Sequence, residues 1–184
     1  MADIVDRAFL LLHELFRLVP LPYAVIGGFA GNVWGVGRAT LDIDLLVGGR
    51  RSQFDTLISL GAERGLQPQD QFLELNPLLR GLMVRCRLEN LHVDFLRPRD
   101  AHDRNVLRRR RRETFAGHVL WVSAPEDLIL MKLKVGRDRD FDDAIRVVER
   151  NRVSLNRSYL LRWAGKLRIV DELDYVLGLP SQAD

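Results

Sequence analysis

The sequence predicts an α/β or α+β core followed by a helical C-terminal part. Strand-like and helix-like runs alternate up to residue 122, and only helical patterns follow. Leu41-Asp42-Ile43-Asp44-Leu45 alternates apolar and acidic residues with the two-residue period of a strand. At 184 residues and 47% hydrophobic content, the chain can bury one core, or one core with a small helical appendage. Residues 1–122 are read as the core with its N-terminal helix, and residues 123–184 as the helical part packed on it.

Residues 3–18 carry Ile4, Phe9, Leu12, Leu15 and Phe16 at near-helical intervals, until Pro20 and Pro22 stop the pattern. Residues 23–26 form a short strand ended by Gly27-Gly28, and residues 29–34 a brief helix before Gly35 and Gly37. A strand is expected over 40–47, closed by Gly48-Gly49, and then an amphipathic helix marked by Phe54, Leu57, Ile58 and Leu60. The runs 81–88 and 91–96 flank Glu89-Asn90 and predict a tight hairpin. Residues 119–122 read as one more strand. Ser123 as N-cap, Pro125 and Glu126 then form a capping-box start for a helix that runs to Gly136. Further helices are expected over 140–150, 156–167 and 170–177.

The apolar stretches fall far short of the roughly 20 residues that span a bilayer, so no membrane helix is expected. The first six residues hold Asp3 and Asp6 where a secretory signal would be basic, and the chain reads as cytoplasmic. Cys86 has no second thiol for a disulfide or a zinc site and suits the interior of a strand. The net charge of +3 is unevenly distributed: eight arginines against three acids lie between Arg97 and Glu113, which leaves the rest slightly acidic. A local basic patch of this kind points to a phosphate-bearing partner at one place.

Alternation along the strand puts Asp42 and Asp44 on one face and Leu41, Ile43 and Leu45 on the other. Two adjacent carboxylates repel each other unless water or a cation compensates, and Mg²⁺ or Mn²⁺ is bound by one or two carboxylates plus substrate phosphates. Taken alone, Asp-x-Asp is more often the wet edge of an amphipathic strand. Here it follows Gly27-Gly28, whose helix could offer backbone N–H groups to a phosphate, and a third acid, Asp94, occupies the otherwise apolar run 91–96. Three acids near the core with a phosphate-cradling turn are the set expected of two-metal phosphoryl chemistry.

Gly27-Gly28, then Gly37-Arg38-Ala39-Thr40-Leu41-Asp42-Ile43-Asp44, then a separate strand with Asp94, resembles the signature of the DNA polymerase β-like nucleotidyltransferase superfamily. More narrowly, Arg38-x-Thr40-x-Asp42-x-Asp44 and the stretch from Pro125-Glu126-Asp127-Leu128 to Asp143 resemble AbiEii-type minimal nucleotidyltransferases, many of them toxin-like. The resemblance covers residues 23–150. It implies a mixed-sheet core that transfers NMP from an NTP to an acceptor hydroxyl on an RNA or tRNA end, a protein or a small molecule. A cognate antitoxin would be a further partner. It also implies that Asp42 and Asp44 bind both metals and that Asp94 holds the metal serving the acceptor hydroxyl.

By the same resemblance Gly27 and Gly28 cradle the β and γ phosphates, although many relatives have serine at the position of Gly28. Arg38 is either a triphosphate contact or a surface arginine, and Thr40 either a contact or only the start of the strand. Lys132 matches the family's helical lysine, with Lys134 as rival, and either could neutralise the leaving pyrophosphate. Asp140 and Asp143 match the last motif, whose acids orient that lysine or cap a helix.

His92 would share a strand face with Asp94, in an outer-shell or solvent role before a proton-transfer one. Trp34, Trp121 and Trp163 read as packing residues. The run Arg108, Arg109, Arg110, Arg111 and Arg112 is expected to continue a helix, either as a solvated charge run or as a contact to an RNA backbone. A rival reading of the whole chain is a non-catalytic nucleotide-binding protein of the same fold, against which three gathered acids argue.

Overall fold

In the computed structural model, which describes residues 2–178, the N-terminal amphipathic pattern forms helix α1 (Ala2–Leu18). Its buried stripe is Phe9, Leu12, Leu15 and Phe16, while Leu10 and Leu18 face solvent. Strand β1 (Tyr23–Ile26) runs directly into the short helix α2 (Gly27–Val33), and β2 (Asp42–Val47) and α3 (Arg51–Glu63) follow. A two-residue strand β3 (Gln67–Pro68), α4 (Asp70–Leu75) and a 3₁₀ turn at Pro77–Leu79 lead to the hairpin of β4 (Met83–Leu88) and β5 (Leu91–Leu96). Then come α5 (Ala101–Arg109), β6 (Arg111–Phe115) and β7 (His118–Val122). The chain continues through helices α6 (Pro125–Val135), α7 (Asp138–Asn151), α8 (Arg157–Leu167) and α9 (Val170–Leu177).

The strands form one mixed sheet in the order β3-β4-β5-β2-β1-β7-β6, with β2/β5 and β1/β7 parallel and the other neighbours antiparallel. One sheet face enters the main core: Ile43, Leu45 and Val47 of β2 and Val93 and Phe95 of β5 belong to one cluster with α1, α3 and the C-terminal helices. That cluster joins Phe9, Phe29 and Leu57 to Leu128, Val147, Leu160 and Leu173. At about 1.5–3 kcal/mol for each large side chain fully buried, this shared core couples the helical tail to the sheet. On the other face Ala24, Ile26 and Leu46 pack against Val106 and Leu107 of α5. Asp42 and Asp44 share Leu46's face, so the acids open onto the side that α5 covers only in part. Among the described residues no helix is long and apolar enough to cross a membrane.

Several local expectations are corrected. α2 begins at Gly27 and not at residue 29, and β2 begins at Asp42 and not at Thr40. The N-cap of α6 is Ala124 and carries no side-chain cap bond. Ser123 is wholly buried, with its backbone N–H donating to Val25 at 2.9 Å and its carbonyl accepting from Trp34 Nε1 at 2.9 Å. It extends the ladder between β7 and β1, and Glu126 turns away to other partners. α7 begins at Asp138, before Asp140. The arginine run does not continue a helix: Arg108 and Arg109 end α5, Arg110 caps it, and Arg111 and Arg112 start β6 at the sheet edge.

Candidate active site

Strand register assembles the acidic floor. β2 and β5 lie parallel with Asp42 beside His92 and Asp44 beside Asp94, and antiparallel β4 puts Arg85 opposite Asp94. Arg85, Asp94 and Asp44 therefore form a row across three neighbouring strands. Asp94 is 3% exposed, and the Arg85 fork holds both its oxygens, Nε to Oδ1 at 2.8 Å and Nη2 to Oδ2 at 2.6 Å. Asp42 Oδ1 lies 3.2 Å from His92 Nδ1. Burial pushes the Asp44 carboxyl up to about 7, with the Asp94 and Asp42 carboxylates adding to the effect and Lys132 and Arg85 opposing it.

An acid leaves no room for a side chain at Gly27, and Thr40 leaves none at Gly28. Gly27 has φ +64°, and a Cβ there would stand 1.9 Å from Asp44 Oδ2. A Cβ on Gly28 would stand 2.8 Å from Thr40 Oγ1, so the threonine hydroxyl fills the space a serine would take. The loop bearing Thr40 is fixed by Asn32, whose side chain donates to the Arg38 carbonyl at 2.8 Å and accepts from its N–H at 3.0 Å. The Arg38 guanidinium reaches Asp143 on α7, at 3.0 Å from Oδ1 and 3.1 Å from Oδ2.

The opposite wall comes from α6 and α7. Lys132 is buried, and its ammonium donates to Asp140 at 2.9 Å and Asp143 at 2.7 Å. The left-handed turn at Gly136 folds α7 back so that Asp140 and Asp143, three apart on one face, meet it. Burial works against the charge of Asp143, but the hydrogen bonds from Arg38 and Lys132 outweigh it and hold the carboxyl below its ordinary range. Lys134 points elsewhere, to Asp100 at 2.7 Å and Asp103 at 3.1 Å.

Gly27, Gly28, Asp42, Asp44, Asp94 and Lys132 line one cleft of about 540 Å³. A second cavity of about 570 Å³ behind the Arg38 loop is walled by side chains such as Phe9 and Phe29 and holds none of the three acids. Among the described residues no three His, Cys, Asp or Glu side chains converge as a ready metal cage. Asp94 is turned to Arg85, which leaves Asp42 and Asp44 as the adjacent oxygen donors. That pair fits a cation such as Mg²⁺, which takes one or two carboxylates and completes its shell with water and phosphate oxygens.

No family model matches the chain, and no curated protein matches it in sequence. Solved structures do. A nucleotidyltransferase-like protein from Paracoccidioides brasiliensis is similar with a TM-score of 0.59 at 15% identity, over 98% of this chain and 95% of that one. ANT(2'')-Ia in complex with adenylyl-2''-tobramycin is similar with a TM-score of 0.57 at 14% identity, over 91% of this chain and 98% of that one. The chain has a nucleotidyltransferase fold. The solution structure of the antibiotic-resistance factor ANT(2'')-Ia agrees, with a TM-score of 0.50 at 15% identity over 89% of this chain and 96% of that one.

On this nucleotidyltransferase fold the structure brings Asp42, Asp44, Asp94, Gly27, Gly28, Arg38, Thr40, Lys132, Lys134 and Asp140 to one cleft, with Asp143 directly behind Arg38 and Lys132. It does not bring the arginine run there. Arg109 is anchored to Glu126 at 2.8 Å and Asp127 at 3.0 Å, Arg110 and Arg112 lie over the Trp121 ring, and Arg111 lies over Trp34. Arg85 was missed from the sequence, yet the hairpin register points to it. The two-residue turn pairs Leu88 with Leu91, and stepping back three places on each side sets Arg85 against Asp94.

Proposed function

We propose that the chain is a metal-dependent nucleotidyltransferase that moves NMP from an NTP to an acceptor hydroxyl. The observation that carries this reading is the Asp42/Asp44 pair on one strand face beside Asp94, inside a cleft that also holds Gly27-Gly28 and buried Lys132. Asp42 and Asp44 would hold Mg²⁺ or Mn²⁺, and the bound ion supplies neutralisation of the phosphates and acidifies a coordinated hydroxyl. The backbone at Gly27 and Gly28, the Thr40 hydroxyl, Lys132 and Arg38 receive the triphosphate. Lys132, held by Asp140 and Asp143, stands ready for the charge of departing pyrophosphate. In the reaction an acceptor O–Pα bond forms as the Pα–O bond to pyrophosphate breaks, and the hydroxyl proton passes to water in the open cleft.

The acceptor is an RNA or tRNA end, or a protein hydroxyl; ANT(2'')-Ia with adenylyl-2''-tobramycin illustrates a small-molecule acceptor on this fold. The AbiEii-like motifs suggest a toxin-type role with an antitoxin partner, in the cytoplasm. One observation favours a second reading, a non-catalytic nucleotide binder: both oxygens of Asp94 are occupied by Arg85.

Incubation with Mg²⁺, labelled NTPs, and cell RNA or protein separates the two readings, because only a transferase moves label onto an acceptor. Asp42→Ala and Asp44→Ala should each lower transfer by about a thousandfold, the equivalent of several kcal/mol of lost charge stabilisation, with the fold intact. Near wild-type transfer by either variant would refute the assignment.

A further inference from the structure

The cleft carries a second charged feature that the chemistry above leaves unused. Arg97 and Arg99, just beyond β5, and Arg137 and Arg139, at the N-cap and in the first turn of α7, all line it. Among the described residues none of these four guanidinium groups forms a salt bridge or a side-chain hydrogen bond, and only that of Arg97 rests on a ring, 5.8 Å from the centre of Phe54, in contrast to the ion-paired Arg38, Arg85, Lys132 and Lys134 in the same cleft. Arg99, Arg137 and Arg139 are exposed. They therefore sit at the mouth, and the paired cations sit deeper.

The two arginine-bearing segments are tied together. Lys134, three residues before Arg137, donates to Asp100 and Asp103, and Asp103 also accepts from the Arg99 backbone N–H at 2.9 Å. This strap leaves one net negative charge against four guanidinium groups. Asp138 lies between two of them in sequence but does not line the cleft. Four like charges held at one opening repel one another unless an anion enters. A cleft of about 540 Å³ suits one small molecule, so a second substrate must reach in through the mouth.

We infer that Arg97, Arg99, Arg137 and Arg139 form an anion-binding rim that grips the backbone phosphates of a single-stranded RNA and delivers its end to the cleft. Only the use of that RNA end as an acceptor rests on the proposed transferase activity; the rim itself is a binding site. It places the RNA contact at the cleft mouth and away from the run at residues 108–112, where Arg109 is already committed to two buried acids.

The test is binding of a labelled 12-nucleotide single-stranded RNA without NTP, followed by anisotropy from 50 to 200 mM salt. Arg97→Gln, Arg99→Gln, Arg137→Gln and Arg139→Gln combined should weaken binding by at least about tenfold. They should also lower the log–log salt slope by roughly 2–3, at about 0.7 per lost phosphate contact. The pair Arg137→Gln and Arg139→Gln should give about half that loss of slope. Mg²⁺–NTP affinity should stay within about twofold, and Arg108→Gln with Arg112→Gln should leave RNA binding as it was. A wild-type protein that ignores RNA overturns the rim, as does a fourfold variant with an unaltered slope or one whose loss falls on NTP. Wild-type RNA binding of this pattern without any transfer of label would instead sink the transferase reading and leave the rim standing.

Discussion

Asp44 carries the heaviest electrostatic load on the cleft floor, because burial and two neighbouring carboxylates all oppose its ionisation. Its folded value, about 7, lies above the ordinary 3.8, so the folded state holds more protons than the unfolded one between those limits. Stability is therefore lost as pH rises through that window, and the loss is complete above it. Asp44→Asn removes this dependence, so its denaturation midpoint should gain on wild type from pH 4.5 to pH 7.5. A constant difference between the two proteins would show that Asp44 ionises normally. The adjacency behind this prediction was legible from strand period alone, because Asp42, Asp44 and their apolar neighbours alternate without a break. Its magnitude was not, since it depends first on burial under the docked helices and then on the parallel neighbour Asp94, fifty residues further along the chain.

At the level of elements, α5, α6 and α8 meet around a polar cluster. Glu126 and Asp127 are 1% and 0% exposed; Arg109 bonds both, Tyr159 donates to Asp127, and the Asn156 N–H donates to Glu126 at 3.0 Å. Glu126 and Asp127 thus form a joint between helices and do not line the cleft, whereas the next residue, Leu128, does. Removing one member of a buried ionic cluster strands the others, so Arg109→Ala should destabilise by about 3–5 kcal/mol in urea unfolding. Exposed Arg108→Ala should stay within about 0.5 kcal/mol, and equal effects would mean that the joint carries no stability. Five consecutive arginines concealed this division of labour. β6 is an edge strand with little apolar surface to bury, so its period-2 signal is lost beneath the charge. Ser123 misled for a related reason: its spacing to Glu126 imitates a capping box, but tertiary partners claim both residues.

Over the whole molecule, the cleft lies where the centre of the sheet meets the C-terminal helices, and few contacts close it. Arg38 to Asp143 and Lys132 to Asp140 and Asp143 form one charged chain from the loop before β2 to α6 and α7. Most of the order of strands and helices was visible in the sequence, β3, α4 and β6 excepted, whereas this closure depends on how the tail docks, which no local pattern encodes. A ligand seated between Asp42, Asp44 and Lys132 touches both sides and should stabilise the molecule as a unit. At a hundredfold excess over Kd the gain is about 2.7 kcal/mol, or roughly 5–10 °C in Tm for a chain of this size. Mg²⁺–NTP should therefore raise Tm by that amount, EDTA should remove most of the shift, and Asp42→Asn should reduce it even with Mg²⁺ present. A full shift in EDTA would separate nucleotide binding from the acid pair and assign it to Lys132 and Arg38 alone.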